Sequence, residues 1–165
     1  MKTKNSLLII ALFASMLCYA EDNLLQNNLF NKLEHKDISQ ITITKTLLHL
    51  FPKNLVSADI KGMKLENFFT KTDQIDIFIS QSIVSKKLMQ KEIADFSKKQ
   101  KSYEVLMKIK GDGENIVLYG RKSGEFIISM IMYIDDDDDE EECILIHLAG
   151  KFSLEDLKEM TEKKK

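Results

Sequence analysis

The sequence predicts an α+β domain: a single, mostly antiparallel sheet of about six strands that includes a C-terminal four-stranded meander, with helices packed on one face. Three observations predict it. Four apolar, β-branched runs follow one another between Tyr103 and Ala149, separated by turn residues. Two more strand-like alternations lie upstream, at Ile38 to Thr44 and Ile75 to Ser80. Stretches whose apolar residues recur at helical spacing fall before, between and after these runs. Chains of this mixture bury one sheet face under helices.

Residues 1–20 read as a signal peptide. Lys2 and Lys4 form a positive start, and Leu7 to Leu17 an apolar run shorter than the roughly 20 residues a bilayer span needs. Cys18-Tyr19-Ala20 then offers small residues at −3 and −1, so cleavage is expected after Ala20. Lipidation of Cys18 is the alternative, and the bulky Leu17 before it counts against that. Without residues 1–20 the basic count falls from 24 to 22, the acidic count stays at 26, and the net charge is −4. An acidic chain of this kind is a poor match for nucleic acid. Cys143 is then the one cysteine, which excludes an internal disulfide. It sits in a strand pattern among glutamates, which fits a buried, inert thiol. Residues 21–165 suit a single domain around one core.

Leu25, Leu29 and Leu33 recur every fourth residue, with Phe30 beside them, and predict a helix over 22–33. The S-Q-I-T-I-T alternation is a short strand to Thr44. Lys45 to Phe51 is a helical turn or two, stopped by Pro52. Residues 53–63 carry no clear pattern, and Gly62 marks a break. Leu65, Phe68 and Phe69 predict a short helix over 64–70, followed by the strand 75–80. Ser82 caps a helix to about Lys99, with Met89, Ile93 and Phe96 as its apolar stripe and Lys86, Lys87, Lys91, Lys98 and Lys99 around the rest. Ser153-Leu154-Glu155-Asp156 is a capping box that opens the last helix.

The meander strands are expected at 103–110, 115–121, 126–134 and 143–149. Gly111-Asp112-Gly113 and the Gly124 turn join the first three. Strict alternation puts Tyr103, Met107, Ile116, Leu118, Met130, Met132, Ile146 and Leu148 toward the core. It puts Tyr119, Ile127, Ile131, Tyr133 and Leu145 on the opposite face. A solvated face would be polar at most of these positions, so the five form a candidate interaction face for a partner protein or a second copy. The competing expectation is a second core layer beneath an N-terminal element. The third turn, 135–142, is a run of eight acids, read as a solvated hairpin tip. Asp135, Asp137 and Asp139 match D-x-D-x-D and are weak metal candidates. Glu140 stands where a calcium loop needs Gly, and Ile146 where it needs Glu.

The order Y-E-V-L-M, G-D-G-E-N, two further strands, H-L-A-G and F-S-L-E-D-L, with D-Q-I-D-I-F-I-S upstream, resembles the bacterial domain-of-unknown-function family 4252. The resemblance covers most of residues 21–165. It implies a small exported protein, often a lipoprotein, and brings no assigned activity. The long acidic run looks like an elaboration of a hairpin that is shorter in relatives.

No catalytic spacing is visible. His35, His49 and His147 are far apart and lack metal-ligand spacing. His147 is expected at or near the surface. No G-x-S-x-G elbow occurs, and Gly111-Asp112-Gly113 precedes a strand rather than a helix. The expectation is therefore an exported, non-catalytic envelope protein, periplasmic or extracellular, without a cofactor. It would bind an envelope protein, or itself, through the sheet, and touch a membrane only through a lipid on Cys18. Two alternatives stand beside it. One is a cation-responsive or membrane-surface module built on the acidic hairpin or the basic helix. The other is an enzyme whose site is assembled from residues distant in sequence.

Overall fold

The computed structural model describes residues 28–50, 59–60, 63–64, 70–111, 113–136 and 142–161. A helix over 28–33 (α1) leads into β1 (Ile38–Thr44) and α2 (Lys45–Leu50). A two-residue-per-strand hairpin, β2 (Asp59–Ile60) and β3 (Met63–Lys64), follows in the segment that carried no sequence pattern. Then come β4 (Thr72–Ser80), α3 (Ile83–Lys99), β5 (Tyr103–Gly111), β6 (Glu114–Ser123), β7 (Phe126–Asp136), β8 (Cys143–Phe152) and α4 (Leu154–Thr161).

Six strands form one sheet in the order β1-β4-β8-β7-β6-β5, every neighbouring pair antiparallel. The C-terminal meander is the β5-β6-β7-β8 half. Its first two turns use Gly113 at φ 82° and Gly124 at φ 60°, backbone that only glycine adopts without strain.

The sheet is buried on both sides. On one side Ile75, Ile116, Leu118, Met130, Met132, Ile146 and Leu148 form a layer to which α2 adds Leu48 and α4 adds Leu157. On the other, Phe78, Ile131, Tyr133 and Leu145 meet Met89, Ile93 and Phe96 of α3 and Leu29 and Leu33 of α1. α3 therefore covers one face as expected, while α2 and α4 serve the opposite one.

α3 starts where the sequence places it. Ser82 Oγ accepts from Ser85 N at 3.2 Å, and Ser82 N donates to Ser85 Oγ at 3.1 Å. Lys98 and Lys99 close its last turn, where the helix dipole favours cations. α4 opens on the expected box. Ser153 N and Oγ both donate to Asp156 Oδ2, at 2.7 and 2.8 Å, and Lys71 Nζ holds Asp156 Oδ1 at 2.5 Å. Lys64, expected to begin a helix, lies in β3, and residues 65–69 of that expected helix are outside the described residues.

Two bulges revise the face assignments. β7 shifts register between Ile127 and Ser129, so Ile127 pairs with Phe152 and joins the Met130–Met132 layer. β5 shifts between Val105 and Met107, so Tyr103 joins the layer under α3 while Met107 stays on the other side. One inserted residue reverses the parity of everything beyond it.

Candidate functional site

The face beneath α3 and α1 carries a line of polar side chains among apolar ones. Asp76 of β4, His147 of β8, Ser129 of β7 and Tyr103 of β5 all point into this layer and are buried. The sheet brings them together: Asp76 pairs with His147 across β4 and β8, and Ser129 lies one strand further along. His147 Nδ1 lies 3.0 Å from Asp76 Oδ2, and His147 Nε2 lies 3.0 Å from Ser129 Oγ. Ser129 Oγ lies 2.7 Å from the Tyr103 hydroxyl.

One proton arrangement satisfies the whole chain. With its proton on Nδ1, His147 donates to Asp76 and accepts at Nε2 from Ser129, which in turn accepts from Tyr103. Asp76 also accepts from Thr42 Oγ1 at 2.8 Å and from Gln74 Nε2 at 2.9 and 3.1 Å. Burial pushes the Asp76 carboxyl up, but the hydrogen bonds from His147, Thr42 and Gln74 outweigh it and hold the group below the usual carboxylate range. Phe30 of α1 stacks on Phe78 at 5.2 Å and lies 5.0 Å from the His147 ring, lidding the chain. The Arg121 guanidinium sits 5.7 Å from the Tyr103 ring centre.

Asp76, His147 and Ser129 have the mutual geometry of an acid–base–nucleophile set. Their surroundings differ from such a site in two respects. Ser129 is 2% exposed, so no acyl carbon reaches Oγ in this conformation. Its Oγ is also shared between His147 and Tyr103, and it lies within a strand rather than on a projecting turn. As built, the chain is a polar strut that ties β4, β5, β7 and β8 together under α1. Polar groups in a core specify one arrangement when all are satisfied.

A second polar cluster lies at the far end of the same layer. Lys86 Nζ is 2.9 Å from Asp135 Oδ1 and donates to the Asp136 carbonyl at 2.7 Å. Gln90 Nε2 and the Tyr133 hydroxyl donate to Asp135 Oδ2 at 2.9 and 3.2 Å. Burial pushes the Asp135 carboxyl up, and the bonds from Lys86 and Gln90 overcome this and lower it. Burial pushes the Tyr133 hydroxyl up, with Cys143 and Asp135 adding to the shift. The Cys143 thiol is likewise raised, chiefly by burial. Its Sγ lies 3.8 Å from Met89 Sδ, an apolar setting that makes it inert.

These positions correct several expectations. Ile131 and Leu145 are fully buried, Tyr133 nearly so, Ile127 lies on the other side of the sheet, and Tyr119 is half-buried beside Phe96. The five do not form an open interaction face, because α3 and α1 close over it. His147 is buried rather than superficial. Asp135 is committed to Lys86 and is no free cation ligand, while Asp137 and Asp139 lie outside the described residues. Among the described residues no three His, Cys, Asp or Glu side chains converge as a metal site. Lys86 is buried in that pair rather than part of a basic surface, and the apolar stripe of α3 is spent on the sheet. Insertion of that stripe into a bilayer is therefore incompatible with this fold.

A family model described as a domain of unknown function (DUF4252) matches residues 30–160, from Phe30 over the polar chain to the end of α4. The chain belongs to the DUF4252 family. No curated protein and no solved structure matches it. The DUF4252 span takes in the four members of the polar chain and the Phe30 lid, so the strut is a feature of the domain itself. Within it, no described helix is long and apolar enough to cross a membrane.

Proposed function

We propose that this chain is an exported, non-catalytic protein of the bacterial cell envelope that engages a protein partner along the free edge of its sheet. The observation that carries this reading is β5. It is the outermost strand on its side of the sheet, and its ladder on that side meets no other strand of the sheet. Val105 is 56% exposed and Ile109 is 42% exposed on this edge. An open strand with exposed apolar side chains accepts an extended segment by strand addition, with backbone bonds giving affinity and side chains giving selection. Lys108 and Lys110, both exposed, discourage a second identical edge and favour a partner segment with acidic residues.

Export is supported by Lys2, Lys4, the Leu7 to Leu17 run and Cys18-Tyr19-Ala20. The absence of catalysis is supported by the closure of the Asp76–His147–Ser129 set upon itself. Capture from native envelope tests the binding claim: wild type should retain one dominant partner, and Ile109→Glu should lose it. Intact mass tests export, with an N-terminus at Glu21 expected and a diacylglycerol on Cys18 contradicting cleavage after Ala20. A hydrolytic enzyme is the second reading, favoured by the 3.0 Å contacts of His147 alone. It requires α1 to lift from Ser129, and labelling of Ser129 by a fluorophosphonate probe in the folded protein would establish it.

A further inference from the structure

α1 and α3 leave a cavity of about 100 Å³ along their seam. At about 30 Å³ per water it has room for about three water molecules, or for a solute of a handful of non-hydrogen atoms. Leu29 and Lys32 of α1 line one side, and Asp95, Phe96, Lys99 and Gln100 of α3 and its cap line the other. Leu29 and Phe96 make part of the wall apolar, and the remaining four residues bring charge or an amide.

Gln100 is the unusual member. It is 4% exposed, and its Oε1 accepts from Ser102 Oγ at 3.2 Å. Its Nε2 is buried and has no hydrogen-bond partner among the described residues. A buried amide donor left unpaired is costly, and folds keep one where something else supplies the acceptor. The neighbouring charges are unequally committed. Lys32 Nζ is held by Glu92 at 2.7 Å. Lys99 Nζ and Asp95 Oδ2 stand 3.9 Å apart, too far for a hydrogen bond, so neither charge is neutralised at contact. Along one turn of α3 the wall therefore offers an anion at Asp95, then a cation and an unpaired amide at Lys99 and Gln100.

We infer that this seam is a binding site for a small zwitterion, an α-amino acid with the smallest of side chains. Its carboxylate pairs with Lys99 and the Gln100 amide, its ammonium with Asp95, and its side chain meets Leu29 and Phe96. The opposed charges select against a plain carboxylate or a plain amine, and the volume selects against larger amino acids. The site is separate from the β5 edge, so either proposal stands if the other fails. A ligand of about five non-hydrogen atoms binds no tighter than the low micromolar range even at the best known efficiency per atom.

The test is a titration of the full mature chain, labelled with ¹⁵N, with glycine, D-alanine, L-alanine, acetate and methylamine to about 10 mM, a range set by that ceiling. Glycine or an alanine should shift the Gln100 side-chain amide resonances and saturate, while acetate and methylamine bind more weakly. Gln100→Leu should abolish the saturable shift while leaving the fold, since only its exposed-loop partner Ser102 loses a contact. Asp95→Asn, at a half-exposed position, should weaken binding about tenfold, the scale for one hydrogen bond to a charged group. No saturable shift with any amino acid overturns the proposal. So does an equal response to acetate, or an undiminished response in Gln100→Leu, which would mark the cavity as a water site touched by solutes adventitiously.

Discussion

Replacing Ile131 with lysine distinguishes a covered sheet face from an open one more sharply than any other single change. Ile131 is 0% exposed and sits between Tyr119 and His147 across its two ladders, beneath the helical layer. Removing its side chain from the core forfeits about 1.5–3 kcal/mol of apolar burial. The ammonium that replaces it finds no free carboxylate at hand, because Asp76 is already engaged by His147, Thr42 and Gln74. An unpaired buried charge adds about 3–5 kcal/mol. The sum, about 5–8 kcal/mol, rivals the whole stability of an ordinary domain, about 5–15 kcal/mol. Ile131→Val, which keeps the shape, should cost only about 0.5–1.5 kcal/mol. Urea unfolding followed by circular dichroism measures both, provided the slope of the transition is unchanged. Ile131→Lys should be largely unfolded in water, and Ile131→Val close to wild type. A loss below about 1 kcal/mol for the lysine variant, the range of exposed positions, would mean that α3 and α1 do not seal this face.

Further outcomes follow from the polar chain and from the tight turns. Ser129→Ala should cost about 1–3 kcal/mol because it strands His147 Nε2 and the Tyr103 hydroxyl, and Tyr103→Phe about 1 kcal/mol. The double variant should cost less than the sum by about 0.5 kcal/mol or more, and strict additivity in urea titrations would dissolve the chain into independent contacts. Asp76, Asp135 and Asp156 are all held below the ordinary value of 3.8, so each contributes stability that is present above that pH and is lost as pH falls from there through the lowered folded values. Melting temperature should hold steady from neutrality to about pH 5 and fall steeply below about pH 4, and a flat profile through that range would contradict the shifts. A Cβ on Gly150 would lie 2.3 Å from the Lys71 carbonyl oxygen, so Gly150→Ala should cost about 1–3 kcal/mol. Gly111→Ala meets nothing within 4 Å and should change stability little by the same thermal melt.

The strands and the long helix were legible because their signals are local. Alternation, the Gly113 and Gly124 turns, and the Ser82 and Ser153 caps each act over a few residues. The faces were less so. A single extra residue in β7 and another in β5 reverse parity, and neither insertion leaves a mark in the sequence, so Ile127 and Tyr103 were placed on the wrong sides. The covering of Ile131 and Leu145 depends on where α1 and α3 dock, a long-range event that their periodicity does not specify. The polar chain joins Asp76 to His147 across 71 positions and Ser129 to His147 across 18, with no motif spacing. One signal did exist. Asp76, Ser129 and His147 are each an isolated polar residue within an otherwise apolar run, in I-D-I-F-I, F-I-I-S-M-I and L-I-H-L-A. Buried polar groups need partners, so three such interruptions on neighbouring strands imply one another.

The claim that the β5 edge is the working surface is tested most directly by a photo-crosslinking amino acid placed in turn at Val105, Ile109 and Ile41 in cells. Ile41 is 47% exposed on β1, the opposite edge of the same sheet, and serves as the control. Strand addition at β5 should give one dominant protein adduct from Val105 and Ile109 and none of that mass from Ile41. Adducts of equal yield from both edges, or none from β5 in an envelope where the protein is correctly processed, would contradict it.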